Sequence, residues 1–179
     1  MIYVALLRGI NVGGKNKVDM KKLKETFEKV GMRDVVTYIN SGNVIFQDAE
    51  HSKEKIAGLL ETAIQEDFSL EIKVLIRSLN EYQEIMKVVP DHWKNDKEMK
   101  SDVLFLWEEI DQETVLEDLT IKPEIDQVLY VPGALLWSVD KKNLTKSGMM
   151  KLAGAKLYKK MTVRNINTTR KIYEMMKAR

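Results

Sequence analysis

One short stretch, RGINVGGKNKV at residues 8–18, gathers the side chains that hold oxyanions. Arg8 and Lys15 bring positive charge, Asn11 and Asn16 bring directional amide donors, and Gly13 and Gly14 let backbone N–H groups come close to a bound group. A second polar cluster, Asn40, Ser41 and Asn43, repeats the donor chemistry further along. Phosphate and carboxylate are the groups such a set binds. Other chemistries are poorly served. The chain has no cysteine, which removes disulfides and thiolate ligands, and only two histidines, His51 and His92. His92 stands beside Asp91 and Trp93 with no serine or threonine nucleophile tied to it, so it reads as a surface residue. Glu108, Glu109 and Asp111 are one acidic connection, well short of the oxygen ligands a hard metal needs, and Asp111 reads as a helix cap. The residues call for no metal and no cofactor.

Two nucleotide-binding patterns come near the first stretch and fail. GINVGGK satisfies G-x-x-x-x-G-K, but Asn16 stands where a magnesium-holding Ser or Thr belongs, and Asp19 caps the next helix too late. Registered on the aromatic platform of an RNA-recognition module, the second cluster places Ser41 and Asn43 where bases would stack.

These residues are positioned by a simple order of elements. The apolar run at residues 2–7 reads as a buried strand. A helix follows, capped by Asp19, with Leu23, Phe27 and Val30 on one face and Gly31 ending it. VVTYI and NVIFQ form a hairpin through Asn40, Ser41 and Gly42, residues 52–67 return to helical period, and LEIKVLI closes the unit as a strand. The order β-α-β-β-α-β is that of a ferredoxin-like fold. After a helix at 79–88 the pattern recurs as a strand at 103–107, a helix at 112–119 and strands at 126–131 and 134–139. Tyr130 matches Tyr38 and Trp137 matches Phe46 in this degenerate repeat. A helix-rich stretch at 144–160 and a last helix at 168–178 follow, with no second counterpart of the fourth strand. The expected fold is α+β: two ferredoxin-like units in tandem, residues 1–78 and 79–179, with extra C-terminal helices.

The repeat supplies a control for the first loop. The second half makes the same connection through EEIDQE, and about 2 to 6 residues are usual there, so the long polar loop exceeds what closure needs. Either the excess serves binding or the loop packs on itself. The topology sets the third strand beside the first, which brings Asn43 next to Leu7 and Arg8 and makes loop and hairpin one edge.

Charge is unevenly spread. The net charge is only +2, yet residues 141–179 carry twelve Lys or Arg against the single acid Glu174, while residues 1–140 sum to −9. Residues 8–33 are themselves +5. No apolar run approaches the roughly 18 residues of a membrane span, and a cytoplasmic protein without membrane attachment is expected.

ALLRGINVGGKNKVDMKKLKETFEKVGMRDVVTYINSGNVIF resembles the signature of the domain of unknown function 1697 family, and TVRNINTTRKI resembles that family's closing motif, with Ile166 where tryptophan is usual. The resemblance implies a bacterial protein with two ferredoxin-like units and carries no established activity. It adds Arg164, Asn165, Asn167 and Thr168 to the candidate binding residues. Asn165 or Asn167 also fits a helix cap. Two readings of the basic tail follow: it folds back toward the first loop and shares an anion, or it neutralises the acidic segment from Glu81 to Asp126. The expected partner is a phosphorylated small molecule or a nucleic acid. An enzyme acting on a phosphorylated or carboxylated metabolite, with Arg8 and Lys15 stabilising charge, and a protein-interaction module are the alternatives.

Overall fold

A computed structural model describes residues 1–179. The chain forms two compact units, Met1–Tyr82 with Ile172–Arg179, and Gln83–Lys171. The end of the C-terminal helix therefore groups with the first unit. No helix is long and apolar enough to cross a membrane.

In the first unit, β1 (Ile2–Leu7) lies between β3 (Asn43–Gln47) and β4 (Val74–Ser78), with β2 (Arg33–Tyr38) outside β3. The order β2-β3-β1-β4, antiparallel at every pairing, is that of the split βαβ unit. Two helices, α1 (Met20–Lys29) and α2 (Lys53–Phe68), follow β1 and β3. Alternation explains which side of the sheet they cover: Tyr3, Ala5 and Leu7 of β1, Val44 and Phe46 of β3, and Val74 and Ile76 of β4 share a core with Leu23 and Phe27 of α1 and Ile56, Leu60 and Ile64 of α2. Each such side chain contributes about 1.5–3 kcal/mol by leaving water. Asp19 caps α1 by accepting from the Lys22 amide at 2.8 Å, and Ser52 caps α2 through the Lys55 amide.

The second unit repeats the sheet. Its strands β5 (Met99–Leu106), β6 (Gln127–Val131), β7 (Ala134–Asp140) and β8 (Met161–Asn165) run in the order β6-β7-β5-β8. A counterpart of the fourth strand thus exists, contrary to the sequence expectation. It is β8, which pairs antiparallel with β5 and arrives late because residues 141–160 intervene. Those residues are three 3-10 segments, Lys141–Lys146, Gly148–Gly154 and Lys156–Lys160, and the expected helix at 112–119 is also a 3-10 segment, Glu113–Asp118. The physical reason lies in the period. Met149, Leu152, Ala155 and Tyr158 recur every third residue, which eclipses them on a 3-10 turn, and Gly148 and Gly154 disfavour an α-helix. The helix α3 (Leu79–Val88) forms as expected, and α4 (Ile166–Lys177) begins two residues earlier than expected.

Candidate functional site

The first loop is a miniature hairpin. The Asn11 amide donates to the Asn16 carbonyl at 3.0 Å and the Lys15 amide to the Val12 carbonyl at 2.9 Å, with Val12 and Lys15 bridged as an antiparallel pair. Gly13 and Gly14 are the two central residues of this turn, at φ +56° and +74°. A tight hairpin turn with both central φ positive matches the strand twist, and glycine adopts it without strain. The glycines are therefore explained by the turn they make. Their own N–H groups have no protein acceptor, and Gly13, Gly14, Lys15, Asn16 and Lys17 are all exposed.

Asn11 ties this hairpin down. Its Nδ2 donates to the Val18 carbonyl at 3.1 Å and the Asn40 carbonyl at 2.7 Å, while its Oδ1 accepts from the Val18 amide at 2.8 Å. One side chain thus joins the loop, the approach to α1 and the β2–β3 turn. Asn16 Nδ2 donates to the Gly9 carbonyl at 2.9 Å and closes the base of the loop.

The β2–β3 turn meets the loop as the topology requires. Leu6 is in register with Asn43, and the Leu7 amide donates to the Gly42 carbonyl at 2.8 Å. Gly42, at φ +88°, has no room for a side chain, since a Cβ there would lie 2.7 Å from that of Leu7. Asn43 is fully buried and donates to the Tyr38 carbonyl and to Ser41 Oγ, at 3.0 and 2.9 Å. Asn40 is exposed and contributes its carbonyl to the Asn11 clamp. Arg8 is half-buried, its amide donating to the Lys73 carbonyl at 3.0 Å.

Arg8, Asn11, Gly13, Gly14, Lys15, Asn16, Asn40, Ser41 and Asn43 therefore all belong to one edge of the first sheet. Most of the asparagine amides at this edge hold the scaffold together. The outward-facing chemistry is cationic: Lys15, Lys17 and Lys21 are exposed and have no carboxylate partner, whereas Lys24 pairs with Glu28 and Lys29 with Asp67. An open hollow lined by Asn11, Gly14, Lys17, Val18 and Asp19 lies below the turn. Asp19 fills the helix N-terminus with its own carboxylate, so α1 offers no phosphate seat of the triphosphate-loop kind.

Sequence reasoning missed two residues here. Val12 is 64% exposed and Ile39 is 49% exposed, the latter in the left-handed region at φ +48°. The run VVTYI places Ile39 in the second strand, but β2 ends at Tyr38. A β-branched residue in that conformation is a genuine outlier, and strain of about 1–3 kcal/mol of this sort concentrates at functional edges. Its only sequence signal is its place just before Asn40, Ser41 and Gly42.

The closing-motif residues lie in the second unit. Arg164 is buried, its guanidinium donating to Thr162 Oγ1 and the Val163 carbonyl, both at 2.9 Å. Asn165 is the cap of α4, accepting from the Thr168 amide at 2.9 Å. Thr168 is buried, and exposed Asn167 donates to the Asn95 carbonyl. Within this unit the basic tail meets the acidic segment at the ion pair Lys160–Glu109, at 3.1 Å.

The repeat extends to how the first loop is anchored. In the second unit Asp111, on the equivalent connection after β5, accepts from the Gly133 amide at 2.8 Å and the Tyr130 hydroxyl at 2.9 Å. An Asx side chain pins the following hairpin in both halves. Burial, together with the Asp111 carboxylate, pushes the Tyr130 hydroxyl up to about 12.

Comparison with known proteins agrees with this architecture. The conserved bacterial protein SP0830 from Streptococcus pneumoniae is similar over 98% of both chains, at 30% identity and a TM-score of 0.84. No curated protein matches the chain significantly. The family model described as protein of unknown function (DUF1697) matches residues 1–137, which take in the loop, the hairpin turn and the second sheet up to β7. That match covers most of the chain, and the chain belongs to the DUF1697 family.

Proposed function

We propose that the edge formed by residues 8–18 and 39–43 binds a phosphate-bearing ligand, and that the ligand is a nucleic-acid strand and not a nucleotide held in a closed pocket. The observation that carries this reading is that Lys15 and Lys17, with Lys21 in the first turn of α1, stand exposed without a carboxylate partner beside a turn whose glycine amides lack protein acceptors. Asn11 and Asn16 hold that turn in place, so its donors are pre-organised. The hollow beside it is open and shallow, which suits a backbone lying across the surface better than an enclosed metabolite. Val12 and Ile39 add apolar faces for a base or sugar.

The enzyme reading finds less support. A base within hydrogen-bond reach of a substrate at Lys15 is the first requirement of catalysis, and the one carboxylate in the hollow, Asp19, is engaged in capping α1. Fluorescence anisotropy with labelled single-stranded DNA and RNA tests the proposal. The wild type is expected to bind at low salt, with affinity falling as salt rises, and Lys15→Glu with Lys17→Glu to weaken binding at least tenfold. Equal affinity of wild type and variant excludes this edge as the site.

A further inference from the structure

The second unit carries a charge feature that the loop does not use. Between Lys141 and Lys160 the chain has seven lysines and no acid. The three 3-10 segments turn Met149 and Leu152 inward onto the core of the second sheet, with Leu144, Leu157 and Tyr158 packed beside them. All seven lysines are exposed. Two of them lie near carboxylates: Lys160 pairs with Glu109, and Lys141 stands in the field of Asp96. The other five, Lys142, Lys146, Lys151, Lys156 and Lys159, have no carboxylate partner.

We infer that this lysine-faced layer is a docking surface for the phosphate backbone of a nucleic-acid duplex. Five uncompensated like charges on one layer repel one another, and a regularly spaced polyanion relieves that repulsion while releasing its own counterions. The alternatives fit the side chains less well. A membrane surface needs an inserting apolar face, but the apolar residues of the layer point inward and only Met150, at 59% exposure, faces out. A single strand gains from outward apolar or aromatic faces for its bases, of the kind Val12 and Ile39 offer at the loop edge, whereas here Tyr158 packs against the core and Met150 alone faces out. Lysine is a point charge without the bidentate fork that reads base edges, so binding is independent of sequence.

The inference rests on residues separate from the loop, and its test keeps the two apart. Random-sequence DNA and RNA duplexes are titrated by anisotropy between about 50 and 200 mM salt. Each phosphate contact contributes about 0.9 to the slope of log affinity against log salt for B-form DNA, so five contacts give a slope of about −4.5. Replacing Lys146, Lys151, Lys156 and Lys159 by Gln reduces the slope by about 3 to 4, with the thermal melt unchanged because all four are exposed. The DNA and RNA arms tell which duplex geometry is preferred. Absence of duplex binding at low salt overturns the inference, as does a quadruple variant with the wild-type slope. Binding to vesicles of anionic lipid without binding to either duplex also overturns it. The Lys15→Glu/Lys17→Glu protein is carried alongside: the inference stands if that variant keeps the slope that depends on the lysine-faced layer, and falls if the loop variant alone changes it.

Discussion

Asn11 is the residue on which the edge turns. Its side chain makes three hydrogen bonds to two other segments, and truncation leaves the Val18 amide and the Asn40 and Val18 carbonyls without it. Asn11→Ala is expected to cost about 1–3 kcal/mol in urea denaturation and to speed hydrogen exchange of the Val18 amide. Unchanged exchange there would show that the clamp is dispensable. Ile39 gives the opposite sign. Its left-handed φ is disfavoured for a β-branched side chain and tolerated by asparagine, so Ile39→Asn is expected to stabilise the protein by about 1 kcal/mol. The residue types at this edge were legible in the sequence, but their roles were only partly so. Glycines and asparagines read as donors to a ligand, and the structure shows Gly13 and Gly14 making a turn and Asn11, Asn16 and Asn43 bonding to the protein itself. Spacing along the chain does not reveal which acceptor an amide will find.

At the scale of elements, hydrophobic period carried most of the fold. The Leu23 and Phe27 face of α1, the capping Asp19 and the alternation in β1 and β3 were each visible because one local pattern fixes them. β8 was not. TVRN carries only a short alternation after twenty lysine-rich residues, and its pairing with β5 is a long-range fact. The three-residue period of Met149, Leu152, Ala155 and Tyr158 was present, but it resembles a helical face when read loosely. The repeated pinning of hairpin by loop gives a test at this scale. Asp111 accepts a hydrogen bond from the Tyr130 hydroxyl and helps burial hold that group at about 12. Asp111→Ala is expected to bring the Tyr130 titration down toward 10, followed by phenolate absorbance against the spectrum of a Tyr130→Phe control. A titration that stays put would assign the shift to burial alone.

Across the whole molecule, carboxylates divide by the sign of their shift. For Asp48, Asp126 and Glu81, burial works to raise the pKa, but hydrogen bonds outweigh it: from the His51 ring and amides to Asp48, from Ser147 and the Lys122 and Gly148 amides to Asp126, and from Lys53 and the Ser78 amide to Glu81. A pKa lower in the folded state stabilises the protein above the unfolded value of about 4, and that stability is lost as pH falls through the folded value. Asp102 runs the other way, because burial pushes its carboxyl up and Lys100 at 3.1 Å offsets only part of that. Its ionised form weighs against folding above about pH 4, so Asp102→Asn is expected to stabilise the protein at pH 7 and to make no difference at pH 3. Urea denaturation at the two pH values checks both signs. The central claim, that the loop edge holds a phosphate-bearing strand, is tested most directly by amide chemical shifts on adding a short single-stranded oligonucleotide. The account predicts that Gly13, Gly14, Asn16 and Lys17 move most within the first unit and that Lys15→Glu with Lys17→Glu abolishes those shifts. Saturating binding that leaves these four amides unmoved would contradict it.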